Sequence, residues 1–147
     1  MKIEEQVLSI EQMKHLQELG VDTSDASMYW VRAKRITGKQ RNNVLDNEMG
    51  KWRLSLSKSI ILPAAWARES VPTYTIGDLI EKLPKYYYAK ENPIEMCAIN
   101  GSGAFVVNYY NIANTYIMKD DTIKNALYKL LCWVAEKHKE LLEVKND

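Results

Sequence analysis

From Asp121 to about Glu143 the chain carries its most regular hydrophobic pattern: Ile123, Leu127, Leu130, Leu131 and Val134, at i, i+4, i+7, i+8 and i+11. A helix of 3.6 residues per turn gathers these side chains into one broad apolar stripe. Asp120 and Asp121 stand ahead of the stripe, where carboxylates cap free N–H groups and meet the positive end of the helix dipole. Lys137 and Lys139 lie towards the opposite, negative end. This is the pattern of a core helix. It requires an apolar surface wide enough to cover five or six side chains, and the segments before it are expected to supply that surface.

Two shorter stretches announce helices by their caps. In Leu8-Ser9-Ile10-Glu11-Gln12-Met13, Ser9 can cap, Gln12 at N3 completes a capping box and Leu8 can staple onto Met13. Leu16 and Leu19 extend this helix, and Gly20 ends it as a C′ residue. Its apolar edge is narrow, so a surface position is expected. In Tyr74-Thr75-Ile76-Gly77-Asp78-Leu79 the same logic recurs, with Thr75 as cap, Asp78 at N3 and Tyr74 facing Leu79. Ile76, Leu79, Ile80 and Leu83 should point inwards, and Pro84 stops the helix.

Strands are expected elsewhere. Ser27–Lys34 is rich in β-branched and aromatic residues, with Met28, Trp30 and Arg32 opposing Tyr29, Val31 and Ala33. Trp52–Lys58 alternates between Trp52, Leu54, Leu56 and Arg53, Ser55, Ser57, and it should pair antiparallel with the first strand. The polar stretch 36–51 between them reads as a long mobile loop. Ala64–Arg68 suggests a helical turn. Ile94–Ile99 and Ala104–Tyr110 read as strands joined by a hairpin turn at Asn100-Gly101-Ser102-Gly103. Asn111–Asn114 reads as a turn, and Tyr116–Met118 as one more short strand. The expected order is α-β-β-α-β-β-β-α: an α+β chain, one domain over residues 1–147, with about five antiparallel strands packed by the C-terminal helix.

Composition narrows the function classes. Twenty Lys and Arg against nineteen Asp and Glu leave a net charge of +1, which by itself calls for no polyanionic partner. No apolar run reaches the roughly 18–20 residues of a membrane span, and the opening MKIEEQVLSIEQ is too acidic and polar for a signal peptide, so a cytoplasmic location is expected. Two cysteines, Cys97 and Cys132, make no disulfide framework and read as small buried hydrophobes.

No constellation carries recognisable chemistry, and no catalytic, metal-binding or cofactor-binding residue is assigned. His15 falls on the polar side of its helix. His138 continues the C-terminal stripe and reads as packing at a helix end; neither histidine has a partner at metal-ligand spacing. The glycines at 101 and 103 precede a strand, whereas a phosphate loop needs a helix N-terminus behind it. Two surfaces remain as candidates. Nine tyrosines and four tryptophans stand against one phenylalanine, a skew favoured at interfaces. Tyr86, Tyr87 and Tyr88, with Tyr29 and Trp30, form the candidate interaction surface for a protein partner or a second copy. Between Arg32 and Lys58, eight cations against two carboxylates give a net +6 and leave −5 for the remainder. Arg32, Lys34, Arg35, Arg41 and Arg53, with Tyr29, Trp30 and Trp52 nearby, are the candidate nucleic-acid surface. The competing explanation is a solvated strand face whose charges blunt a sheet edge.

The blocks LSIEQMKHLQELGVDTSDASMYWVR (8–32), YTIGDLIEKLPK (74–85) and DTIKNALYKLLCWVAEK (121–137) resemble, in the same order, a group of small uncharacterised proteins of gut-bacterial genomes and their phages or mobile elements. The resemblance implies a fold and a phage or mobile-element accessory role; it implies no reaction, cofactor or catalytic residue. The expectation from sequence is a non-catalytic binding or interaction module. A nucleic-acid-binding accessory protein is the alternative, and a small enzyme with a site built from scattered polar residues is the third.

Overall fold

A computed structural model describes residues 2–35, 50–57, 66–99, 104–110 and 119–143, of which Arg35, Trp66, 97–99 and Lys119 are described by backbone alone. The expected mobile loop lies outside these residues except for Gly50 and Lys51, as do the turns at 100–103 and 111–114 and the strand expected at 116–118.

The chain opens with a 3-10 turn, Ile3–Gln6, and helix α1, Ile10–Glu18. Ser9 accepts from the Gln12 N–H at 3.1 Å while the Gln12 side chain accepts from the Ser9 N–H at 2.9 Å, closing the capping box the sequence predicts. Gly20, at φ +86°, reverses the chain in the left-handed region that glycine enters without penalty. α1 lies at the surface as its narrow apolar edge predicts, with Glu11, Lys14, Gln17 and Glu18 exposed and only Met13 and Leu16 fully buried.

Strand β1, Met28–Arg35, pairs antiparallel with β2, Arg53–Ser55, setting Trp30 opposite Leu54. The second strand is shorter than expected. Ser55 Oγ donates to Ser57 O at 2.6 Å and accepts from Ser57 N–H, a local bond that competes with the ladder. Leu56, expected to share one face with Trp52 and Leu54, lies beyond the strand and is 79% exposed. On its other side β1 pairs antiparallel with β3, Trp66–Thr73. The described part of the helical turn expected at 64–68 is therefore strand. β3 contains Pro72 and is an edge of the order β2-β1-β3, the position where a missing N–H costs no ladder bond.

Helix α2, Ile76–Lys82, follows with its predicted box: Thr75 accepts from Asp78 N–H and Asp78 accepts from Thr75 N–H, both at 3.0 Å. Leu79 and Leu83 are buried, but Ile80 is 42% exposed, since a helix of two turns turns only one side to the core. Strands β4, Ile94–Ile99, β5, Ala104–Tyr109, and the two-residue β6, Lys119–Asp120, make a second antiparallel sheet in the order β4-β5-β6. Among the described residues the strands thus form two small sheets in place of the single one expected.

Helix α3, Ile123–Lys137, is capped by Thr122, which accepts from Asn125 N–H at 3.2 Å, one position beyond the aspartates proposed for that role. Asp120 instead pairs with Lys129 at 2.9 Å. Ala126, Leu127, Leu130, Leu131, Val134 and Ala135 are buried along α3. The helix stops at His138, and a single turn, α4 (Glu140–Glu143), completes the C-terminal stretch. The core joins these residues to Leu8, Met13, Leu16, Val71, Tyr74, Leu79, Val107 and Tyr109, so all three longer helices and both sheets meet at the α3 stripe.

Candidate functional site

The tyrosine run leaves α2 through Pro84 and enters a closed loop. Its base is secured twice: Tyr109 O–H donates to Pro84 O at 2.7 Å within the core, and Tyr110 N–H donates to Pro93 O at 2.9 Å. Tyr86 bridges antiparallel to Pro93, and Ile94 N–H donates to Lys85 O at 2.9 Å. Tyr87 N–H donates to Asn92 O at 2.9 Å, and the Asn92 side chain donates back to Tyr87 O at 3.1 Å.

At the tip sits Tyr88, at φ +60° the one non-glycine residue in the left-handed region among those described. Ala89 N–H donates across it to Tyr87 O at 2.7 Å, making a three-residue turn. The positive-φ form of that turn is the rare and strained one, and a side chain there costs about 1–2 kcal/mol. The Tyr88 side chain offsets this outside the loop. Its hydroxyl donates to the Glu140 carboxylate and lies 2.9 Å from His138 Nδ1. With its proton on Glu140, the Tyr88 hydroxyl can accept from Nδ1–H, and His138 Nε2 lies 3.3 Å from the Tyr87 hydroxyl.

The rings repeat the clustering. Tyr87 stacks on Trp133 with centroids 5.8 Å apart and an interplanar angle of 24°, and meets His138 and Tyr88 edge-on at 5.0 and 4.8 Å. Trp133 and His138 are 4.7 Å apart. Such contacts contribute about 0.5–1.5 kcal/mol each beyond burial. Tyr87, Trp133 and His138 are half-buried, and Tyr88 is 54% exposed. No hydrogen-bond acceptor for the Trp133 indole N–H occurs among the described residues. The hydrogen bond to Glu140 pushes the Tyr88 phenol up to about 12, and the same bond holds the Glu140 carboxyl below the ordinary range. Tyr88 is therefore a neutral hydrogen-bond donor at physiological pH, with no phenolate available as a nucleophile.

The candidate residues of β1 and β2 have a different setting. Trp30 packs against the core and donates its indole N–H to Leu8 O at 2.9 Å. Arg32 stands opposite Glu69 of β3, donates to it at 2.8 Å, and lies 4.5 Å over the Trp52 ring. The basic side chain and the aromatic face of the candidate nucleic-acid surface thus already meet each other. That bond holds the Glu69 carboxyl low. Register separates the other cations. Arg53 lies opposite Val31 and so shares its face, whereas exposed Lys34 falls on the alternate face with Arg32. Tyr29 is half-buried between Ser55 and Pro72. Arg41 and the side chain of Arg35 lie outside the described residues.

His15 is half-buried, with its ring 6.3 Å from that of Tyr128, where solvation was expected. Burial pushes the half-buried Cys132 thiol up to about 11, which keeps it protonated and poorly nucleophilic at neutral pH. Among the described residues no group of three His, Cys, Asp or Glu side chains is placed to hold a metal ion, and no helix is long and apolar enough to cross a membrane.

The structure thus brings Tyr87 and Tyr88 together with Trp133, His138 and Glu140. Sequence reasoning did not name the last three for this site. Their only signal was position: His138 and Glu140 fall where the α3 stripe gives out, some 50 residues from the tyrosines. Comparison of the chain with protein-family models, curated proteins and solved structures finds no match.

Proposed function

We propose that the protein is a non-catalytic binding module that engages a protein partner through the face formed by Tyr87, Tyr88, Trp133 and His138. The observation that carries this reading is the Tyr88 side chain, more than half exposed although its ring and hydroxyl are both organised by neighbours. Tyr and Trp supply large amphipathic contact area with few rotatable bonds, and rings already placed by their neighbours in the closed arrangement lose less entropy on binding. A half-buried indole N–H with no acceptor among the described residues adds a donor for a partner's carbonyl. The resemblance to proteins of phages and mobile elements supports an accessory role of that kind.

Affinity capture from a bacterial lysate, run in parallel with wild-type chain, Trp133→Ala and the pair Lys34→Glu/Arg53→Glu, tests the proposal. A protein recovered by wild type and by the charge-reversed pair, but lost with Trp133→Ala, is the expected result. Recovery of nucleic acid, lost only on charge reversal, would transfer the function to the β1–β2 hairpin. Light scattering at high concentration distinguishes a second copy from a foreign partner.

A further inference from the structure

We infer that the Lys85–Pro93 loop is a latch: Tyr88 holds its tip closed over Trp133, and the tip swings as a unit while the base stays fixed. This deepens the reading of the aromatic face as a binding surface, and gives that face two states.

The contrast between base and tip is the ground for it. The base is tied to β5 by the core hydrogen bond from Tyr109 to Pro84 O and by the Tyr110–Pro93 backbone bond. The tip depends on a backbone conformation that opposes closure, a positive φ at a residue with a Cβ. At the strained residue itself that strain is opposed by the Tyr88 hydroxyl on His138 and Glu140 and by its ring edges on Tyr87 and His138, while the adjacent Tyr87 adds its stack on Trp133 and its bond to His138. These bonds are exposed to water, which competes for each partner. A strained closed state held by solvent-accessible bonds lies close in free energy to an open one, the condition for a two-state element. Because Tyr87 hydrogen-bonds both to Asn92 within the loop and to His138 outside it, release of Tyr88 loosens Tyr87 from the Trp133 face.

Amide exchange with water, measured by NMR on the full chain without any partner, tests the latch. Tyr88→Phe keeps the ring and the strained backbone but removes the hydroxyl. It should speed exchange at the Tyr87 and Asn92 amides on the order of fivefold, the loss of about one net hydrogen bond. The Tyr110 amide at the base and the Leu130 amide in α3 should not change. His138→Phe should act alike, and the double variant should add little, since both remove one contact. Unchanged exchange in Tyr88→Phe, acceleration shared equally by Tyr110 and Leu130, or additive effects in the double variant would each overturn the latch. Those failures leave the binding proposal standing, whereas a mobile tip in a chain that captures no partner leaves the latch and removes the binding proposal.

Discussion

Trp30 in β1 and Trp133 in α3 are both half-buried tryptophans at the margin of one core, and their indole nitrogens separate them. Trp30 donates to Leu8 O, a carbonyl that also accepts from Thr73 Oγ1 at 2.7 Å, so one ring and one hydroxyl fasten β1 and β3 to the chain entering α1. Trp133 is surrounded by rings and has no such bond among the described residues. The same residue type, at similar burial, is a rivet in one place and an open surface in the other. Composition alone cannot tell these apart, because the skew towards Tyr and Trp is common to both; the polar partner of each ring decides.

The comparison can be broken by experiment. The largest effects belong to the core that both regions share: Leu130→Ala or Leu131→Ala should cost about 2–5 kcal/mol in urea unfolding, as for a fully buried leucine. A loss below about 1 kcal/mol for both would mean that α3 is not the core element. Next comes the local frame, where Ser9→Ala and Thr75→Ala should each cost about 1 kcal/mol through the lost cap. At Tyr88 the backbone itself is the target. Tyr88→Ala and Tyr88→Gly lose the same contacts, but glycine relieves the positive φ, so the glycine variant should be the more stable by about 1 kcal/mol. Equal stabilities would remove the strain.

The smallest effect is electrostatic. Glu69 is held low by Arg32, so the unfolded chain binds more protons than the folded one around pH 4. The stability from this pair is present above the unfolded carboxyl value and is lost as pH falls through the folded one. The pair is about one-third exposed, which limits it to about 0–1 kcal/mol. Arg32→Met should flatten this part of the acid limb between roughly pH 5 and 3; an unchanged slope would show that the pair is not formed in solution.

How much of this was legible in the sequence follows from range. Ser9, Gln12, Thr75 and Asp78 were read correctly because a cap is decided within four residues. The α3 stripe was legible because its period repeats, although its cap moved to Thr122 when Asp120 turned to Lys129. β3 was hidden by its Pro72, a breaker in isolation that an edge strand tolerates. The tyrosine run drew attention in the sequence, but Trp133, His138 and Glu140 reach it from another element, and no local pattern records a contact across 50 residues. Arg32 was read as a cation free for phosphate because Glu69, its partner, belongs to the strand that was missed.

Urea unfolding of Trp30→Phe beside Tyr88→Phe tests the division between rivet and surface most directly. Trp30→Phe should lose about 1–3 kcal/mol from the missing bond and the reduced packing, while Tyr88→Phe, which gives up only an exposed hydrogen bond, should lose less, about 0.5–1 kcal/mol. Equal losses, or the reverse order, would contradict the assignment of Trp30 to the fold and Tyr88 to the surface.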